Sequence, residues 1–122
     1  MTRTRTSRLG FAIALACVCL LRAGAQAQSG PIDTSCRPRN IVAWSVLPRV
    51  HVQCEETVAG VRFFAIQARS DNAAEVARVL AILTAARATG SSLVVNFDPA
   101  DLSGNAWGCN ASDCRPIRAV GF

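Results

Sequence analysis

Residues 61–97 read VRFFAIQARSDNAAEVARVLAILTAARATGSSLVVNF, and the change of period along this stretch decides the fold class. Val61 to Ala68 carries Phe63, Phe64 and Ile66 as its bulk, a strand signal. Ser70-Asp71 then has the chemistry of a helix N-cap, with Glu75 near the positive end of the helix that follows. That helix is expected from Asn72 to Ala88 and is stopped by Gly90 as a left-handed cap. Leu93 to Phe97 returns to a strand pattern.

Outward from this core stretch, the N-terminal side supplies two more strands. Ile41 to Leu47 is apolar and β-branched with Trp44, and Pro48 interrupts it. Arg49 to Cys54 alternates, with Val50, Val52 and Cys54 on one side and Arg49, His51 and Gln53 on the other. Residues 28–40, rich in Ser, Gly, Pro and Arg, read as an irregular leader. On the C-terminal side, Pro99 to Cys114 is a long loop with Gly104, Asn105, Gly108 and Asn110, and Arg115 to Phe122 is a closing strand with Pro116 near its start. The order is β-β-β-α-β-β. This is a mainly β domain with one helix, and residues 41–122 have the layout of an OB-fold-like small barrel.

The helix is unusual in its outward side. Its polar residues Asn72, Glu75, Arg78, Thr84 and Arg87 recur at multiples of three, so they drift around the axis instead of forming a stripe. Val76, Val79, Leu80, Ile82 and Leu83 form a broad apolar arc, and alanines fill most of the remainder. A solvated back would carry more charge. Two readings fit: an alanine-biased composition, or small side chains, as at Ala81 and Ala85, that let another copy approach closely; the second gives the expectation of a homo-oligomer.

Residues 1–27 have the three parts of a secretory signal peptide: Arg3, Arg5 and Arg8, an apolar run from Leu9 to Leu21, and Ala25-Gln26-Ala27 as the cleavage site. The run falls short of the roughly 20 apolar residues that span a bilayer, so no membrane span is expected, and the exported chain starts at Gln28. Localisation is accordingly secreted or periplasmic. All 13 basic residues are arginines; Arg3, Arg5, Arg8 and Arg22 leave with the signal, and the nine that remain face eight acids. The formal net charge of +5 thus belongs mostly to the discarded segment. No arginine cluster replaces it, which argues against nucleic acid as a partner.

Cys36, Cys54, Cys109 and Cys114 remain after cleavage, an even number in an exported chain. Four cysteines can pair in three ways; local closure favours Cys36 with Cys54 and Cys109 with Cys114. Their spacing lacks the paired Cys-x-x-Cys pattern of a zinc site, so no metal and no other cofactor is expected.

Chemistry for catalysis is sparse. His51, the sole histidine, has no serine or cysteine nucleophile in a recognisable motif around it. Glu55-Glu56 is the only tight carboxylate pair and lies in an expected turn; no Gly-rich phosphate loop is present. The reading is a non-enzyme. Trp107, with Asn105 and Asn110 nearby, combines a flat apolar surface with directed hydrogen bonds, as a sugar-binding surface requires; the alternative is that Trp107 folds inward as a lid over a small core.

Phe63-Phe64-Ala65, the helix ending Ala88-Thr89-Gly90, the strand Ser92-Leu93-Val94-Val95 and the closing Cys109…Ser112-Asp113-Cys114-Arg115-Pro116-Ile117 resemble small secreted bacterial proteins related to toxin B-pentamer subunits, nearest to the subtilase-cytotoxin B-subunit-like group. The resemblance covers about residues 41–122. It implies an OB-fold, a ring of five subunits with central helices, recognition of a host glycan and a catalytic A subunit as partner. The family's sugar-binding positions have no matching local motif here, so glycan binding is implied at family level. The leading expectation is a secreted, oligomeric, non-enzymatic binding module. The alternative is a secreted inhibitor or structural envelope protein that grips another protein through its cysteine loop.

Overall fold

The computed structural model describes residues 30–122; the segment 1–27 expected to be a signal peptide, with its expected cleavage site, lies outside them. Seven strands, one α-helix and one 3₁₀ turn run in the order β1 (Ile32–Cys36), β2 (Pro38–Trp44), β3 (Arg49–Val58), β4 (Val61–Gln67), α1 (Ala73–Thr89), β5 (Leu93–Phe97), the 3₁₀ turn Ser103–Trp107, β6 (Cys114–Pro116) and β7 (Ala119–Gly121). They form a three-stranded sheet, β1-β5-β7, and a four-stranded sheet, β2-β3-β4-β6.

The domain is mainly β with one helix, as the sequence implies. The hydrogen-bonded ladder does not close into a barrel. Instead, two chain segments bend from one sheet to the other. Residues 32–44 give β1 to the smaller sheet and β2 to the larger, with only Arg37 between them. Residues 114–121 do the same with β6 and β7, so β6 runs parallel to β4 while β7 is antiparallel to β5. An OB-fold is itself a partly open five-stranded arrangement, and these two bent segments each stand for one of its strands.

Two expectations are corrected. The leader read as irregular contains a strand: Ile32 to Cys36 pairs residue by residue with Phe97 to Leu93, and β2 begins at Pro38, not Ile41. Its Gly, Pro and Ser content suppresses the local signal, and distant β5 supplies the hydrogen bonds. The closing strand is two strands, because Ile117 and Arg118 turn the chain after Pro116; their amides donate to the Ala65 and Asn96 carbonyls, one in each sheet.

Helix α1 begins one turn-residue later than the cap signal. Its N-cap is Asn72, whose side chain makes no capping bond. The Asn72 amide instead donates to the Gln67 carbonyl at 2.9 Å and its oxygen accepts from the Arg69 N–H at 2.8 Å, wiring β4 to the helix start. Gly90 ends the helix at φ 69°, in the left-handed region expected for the cap. Val79, Leu83 and Ala86 are buried, with Val76, Leu80 and Ile82 packed on the core edge.

The main core lies between the sheets and is closed by α1. Val50, Val52 and Cys54 of β3 and Phe64 and Ile66 of β4 meet Cys36, Leu93, Val95 and Phe97 of the other sheet. Phe64 and Phe97 pack edge to face with centroids 4.9 Å apart. Both disulfides form the local pairs, Cys36–Cys54 and Cys109–Cys114. The first joins the two sheets; a loop of that length constrains the unfolded chain by about 3 kcal/mol in the entropic account.

Leu83 is fully buried at the centre of the helix–sheet contact. Leu83→Ala is expected to lower stability by about 2–5 kcal/mol, read as a shift of the urea midpoint. A shift below about 1 kcal/mol would mean that α1 is peripheral to the core.

Candidate functional site

The face of the four-stranded sheet turned away from the main core carries the side chains that the strand alternation leaves over. On β4 these are Phe63, Ala65 and Gln67; on β3, Arg49, His51 and Gln53; on β2, Asn40, Val42 and Trp44. The Cys109–Cys114 disulfide and Trp107 cover one part of this face, packing with Phe63 over buried Ala65.

Arg115 sets the covering loop in place. Its Nε donates to the Pro99 carbonyl at 2.7 Å and its Nη1 to the Ala111 carbonyl at 2.8 Å, so one guanidinium ties both ends of the loop to β6. Within the loop, Asp101 accepts from the Ser103 N–H at 2.9 Å, and Ser103 holds its carboxyl below the usual carboxylate range.

Beside Trp107 opens a cleft of about 420 Å³, within the range of small-molecule sites. Its lining combines apolar Trp107, Ala65, Ile66, Pro116 and Ile117 with polar Gln67, Arg69, Asn72, Glu75 and Ser103. Asn72 is committed to the backbone bonds already described, and Arg69 pairs with Asp71 at 3.0 Å. Gln67 and Glu75 make no side-chain hydrogen bond with other described residues, so both are free to meet a ligand.

Of the three ligand-binding candidates Trp107, Asn105 and Asn110, only Trp107 lines this cleft. It is half-buried, and so acts both as a lid on the smaller cluster and as a cleft wall. Asn105 is exposed, its backbone closing the 3₁₀ turn to Gly108. Asn110 folds back on its own loop: its side chain accepts from the Ser112 N–H and its carbonyl from the Asp113 and Cys114 N–H groups. The polar partners of Trp107 come from β4, the helix start and the 3₁₀ turn. The alternation of Phe63, Ala65 and Gln67 is the sequence signal that places Gln67 on this face.

His51 sits further along the face and is half-buried. Its Nε2 accepts from Arg49 Nε at 3.0 Å, which requires the neutral ring with its proton on Nδ1. Burial, and then the Arg49 charge, hold its pKa below the ordinary 6.5, with Asp113 acting in the opposite sense. Arg49 also donates through Nη1 to the Val46 and Leu47 carbonyls, and its guanidinium lies 4.9 Å from the centre of the Trp44 ring. A smaller trough of about 130 Å³ next to His51, between Trp44 and Phe63, is below the usual size of a ligand site.

Among the described residues no group of three or more His, Cys, Asp or Glu side chains is arranged to hold a metal, and no helix is long and apolar enough to cross a membrane. Comparison of the chain with protein-family models, with curated proteins and with solved structures finds no match.

The His51 environment generates a pH dependence. The unfolded chain protonates His51 near its ordinary value, whereas the folded chain resists protonation to a lower pH. Stability from the neutral ring is therefore complete above about pH 6.5 and is lost as the pH falls through that value towards the folded pKa. Urea titrations at pH 7 and pH 5 should show a larger loss for wild type than for His51→Gln. Equal losses in the two proteins would show that His51 does not carry the effect.

Proposed function

We propose that this domain is a secreted, non-enzymatic binding module whose cleft beside Trp107 takes a saccharide. One observation carries the reading: an indole and the uncommitted Gln67 and Glu75 side chains line the same cleft, which is of ligand size. A sugar ring presents an apolar face for the indole and hydroxyls for the amide and carboxylate. The non-enzymatic part is supported by how the reactive groups are used. The four described cysteines are in disulfides, and the His51 ring nitrogen that could act as a base is occupied by Arg49. Two disulfides fit an oxidising compartment.

The resemblance to toxin B subunits belongs to the same proposal, with a host glycan as the ligand and a catalytic A subunit as a further partner. The β-rich architecture with its single inserted helix supports it at the level of fold alone. Purified exported protein is expected to bind a defined sugar on a glycan array. Trp107→Ala and, separately, Gln67→Ala should each weaken that binding by about tenfold or more, with circular dichroism reporting the fold. Absence of sugar binding, together with capture of a protein by the cysteine loop, would favour the inhibitor or envelope reading.

Assembly forms the second half of the proposal. Ala81 and Ala85 are exposed, as are Ala73, Ala74, Ala77 and Ala88, so the outward side of α1 is shallow and carries few charges. This suits close approach of another copy. Ala81→Glu and Ala85→Glu are expected to shift native mass spectra towards monomer while leaving the circular dichroism unchanged. A wild-type protein that stays monomeric at roughly tens of micromolar would overturn this half.

A further inference from the structure

We propose that the tip of the β2–β3 hairpin, residues 44–48, is a contact for the interfacial region of a lipid bilayer. Val46 is 77% exposed, Leu47 51% and Trp44 48%. Single exposed apolar residues are ordinary, but three within four consecutive positions form a patch.

The patch is built, not frayed. Leu47 has φ 50°, a left-handed conformation that a bulky branched residue rarely adopts. Arg49 Nη1 holds the turn by donating to the Val46 carbonyl at 3.1 Å and the Leu47 carbonyl at 2.8 Å. The Ala68 N–H donates to the Pro48 carbonyl at 2.8 Å and anchors the turn to the β4–α1 connection. Gly108 makes room for the clasp: a Cβ there would come within 2.7 Å of the Arg49 guanidinium carbon. A backbone fixed in this way keeps Val46 and Leu47 in water, where they add nothing to the core.

Size and charge select the occupant. Three side chains on a convex turn fall far short of the roughly 800 Å² per partner of a stable protein interface. A fluid acyl boundary needs no complementary pocket, and an indole with aliphatic side chains beside it suits the headgroup level. Residues 44–48 carry no charged side chain, and Arg49, which follows them, is a cation with no carboxylate partner among the described residues. Asp71, on the β4–α1 connection, pairs with Arg69 at 3.0 Å; Asp113 acts on the neighbouring His51 without forming an ion pair with Arg49; Glu55 and Glu56 lie towards the other end of β3. The tip is thus apolar with one adjoining cation, a combination complementary to an anionic lipid surface.

The test is co-sedimentation of the exported, disulfide-intact protein with vesicles of phosphatidylcholine alone and of phosphatidylcholine with phosphatidylglycerol. Wild type should bind, more strongly to the anionic vesicles, and Trp44 emission should shift to the blue in a Trp107→Phe background. Val46→Ser with Leu47→Asn should reduce the partition coefficient by about tenfold or more. Both positions are exposed and asparagine tolerates the left-handed conformation, so the thermal midpoint should not fall. The proposal is overturned if wild type stays in the supernatant at millimolar lipid or if the double variant binds equally well. It is also overturned if the double substitution abolishes self-association instead, since the tip would then be a protein contact.

Discussion

The contact between the two sheets, where Cys36 is bonded to Cys54 and Phe64 meets Phe97 edge to face, is the constraint on which the rest of the structure depends. Neither sheet is closed by hydrogen bonds to the other. A domain of this size buries only a modest share of its unfolded surface. Covalent closure at the point where β1 hands over to β2 compensates for the missing ladder. The handover residue Arg37 is held on both sides: its N–H donates to Glu56 and its carbonyl accepts from the Glu55 N–H. Once this corner is set, α1 has one way to close the core, with Leu83 inward and its alanines outward.

The same strands serve two separate clusters. On β4, Phe64 and Ile66 face the main core, while Phe63 and Ala65 face the smaller cluster of Cys109, Cys114 and Trp107. The second disulfide and Arg115 fix a loop that would otherwise have no core of its own. This division lets the cleft beside Trp107 rest on β4, which supplies Gln67, while its other polar residues come from the β4–α1 connection, the helix start and the 3₁₀ turn. A binding surface of that kind can change its ligand without disturbing the main core.

Arg49 links the remaining features of the outer face. It shares one bond with His51, two with the carbonyls of the hairpin turn, and its plane lies near Trp44. A guanidinium held by carbonyl and imidazole acceptors, with no carboxylate, keeps its positive field at the surface. The His51 ring must remain neutral to act as one of those acceptors. Protonation of His51 and the geometry of the exposed turn are therefore coupled through a single side chain.

Local signals determined the helix and its Gly90 stop, through cap chemistry and a glycine that tolerates the left-handed conformation, and the inward set Val50, Val52 and Cys54, through the two-residue repeat of a strand. The local disulfide pairs were legible for a similar reason, since short loops close readily. Only the tertiary structure decided the strand within the leader. Asp33 and its partner Asn96 lie 63 positions apart and nothing near Ile32–Cys36 announces β5. It also decided the division of residues 114–121 between two sheets, and it placed Gln67 and Glu75, not Asn105 and Asn110, around Trp107. Composition recorded Trp44 as part of a strand, but its exposure depended on β2 being an edge strand with α1 on the opposite face. Pairing partners and cleft neighbours are set by long-range packing, which no local repeat encodes.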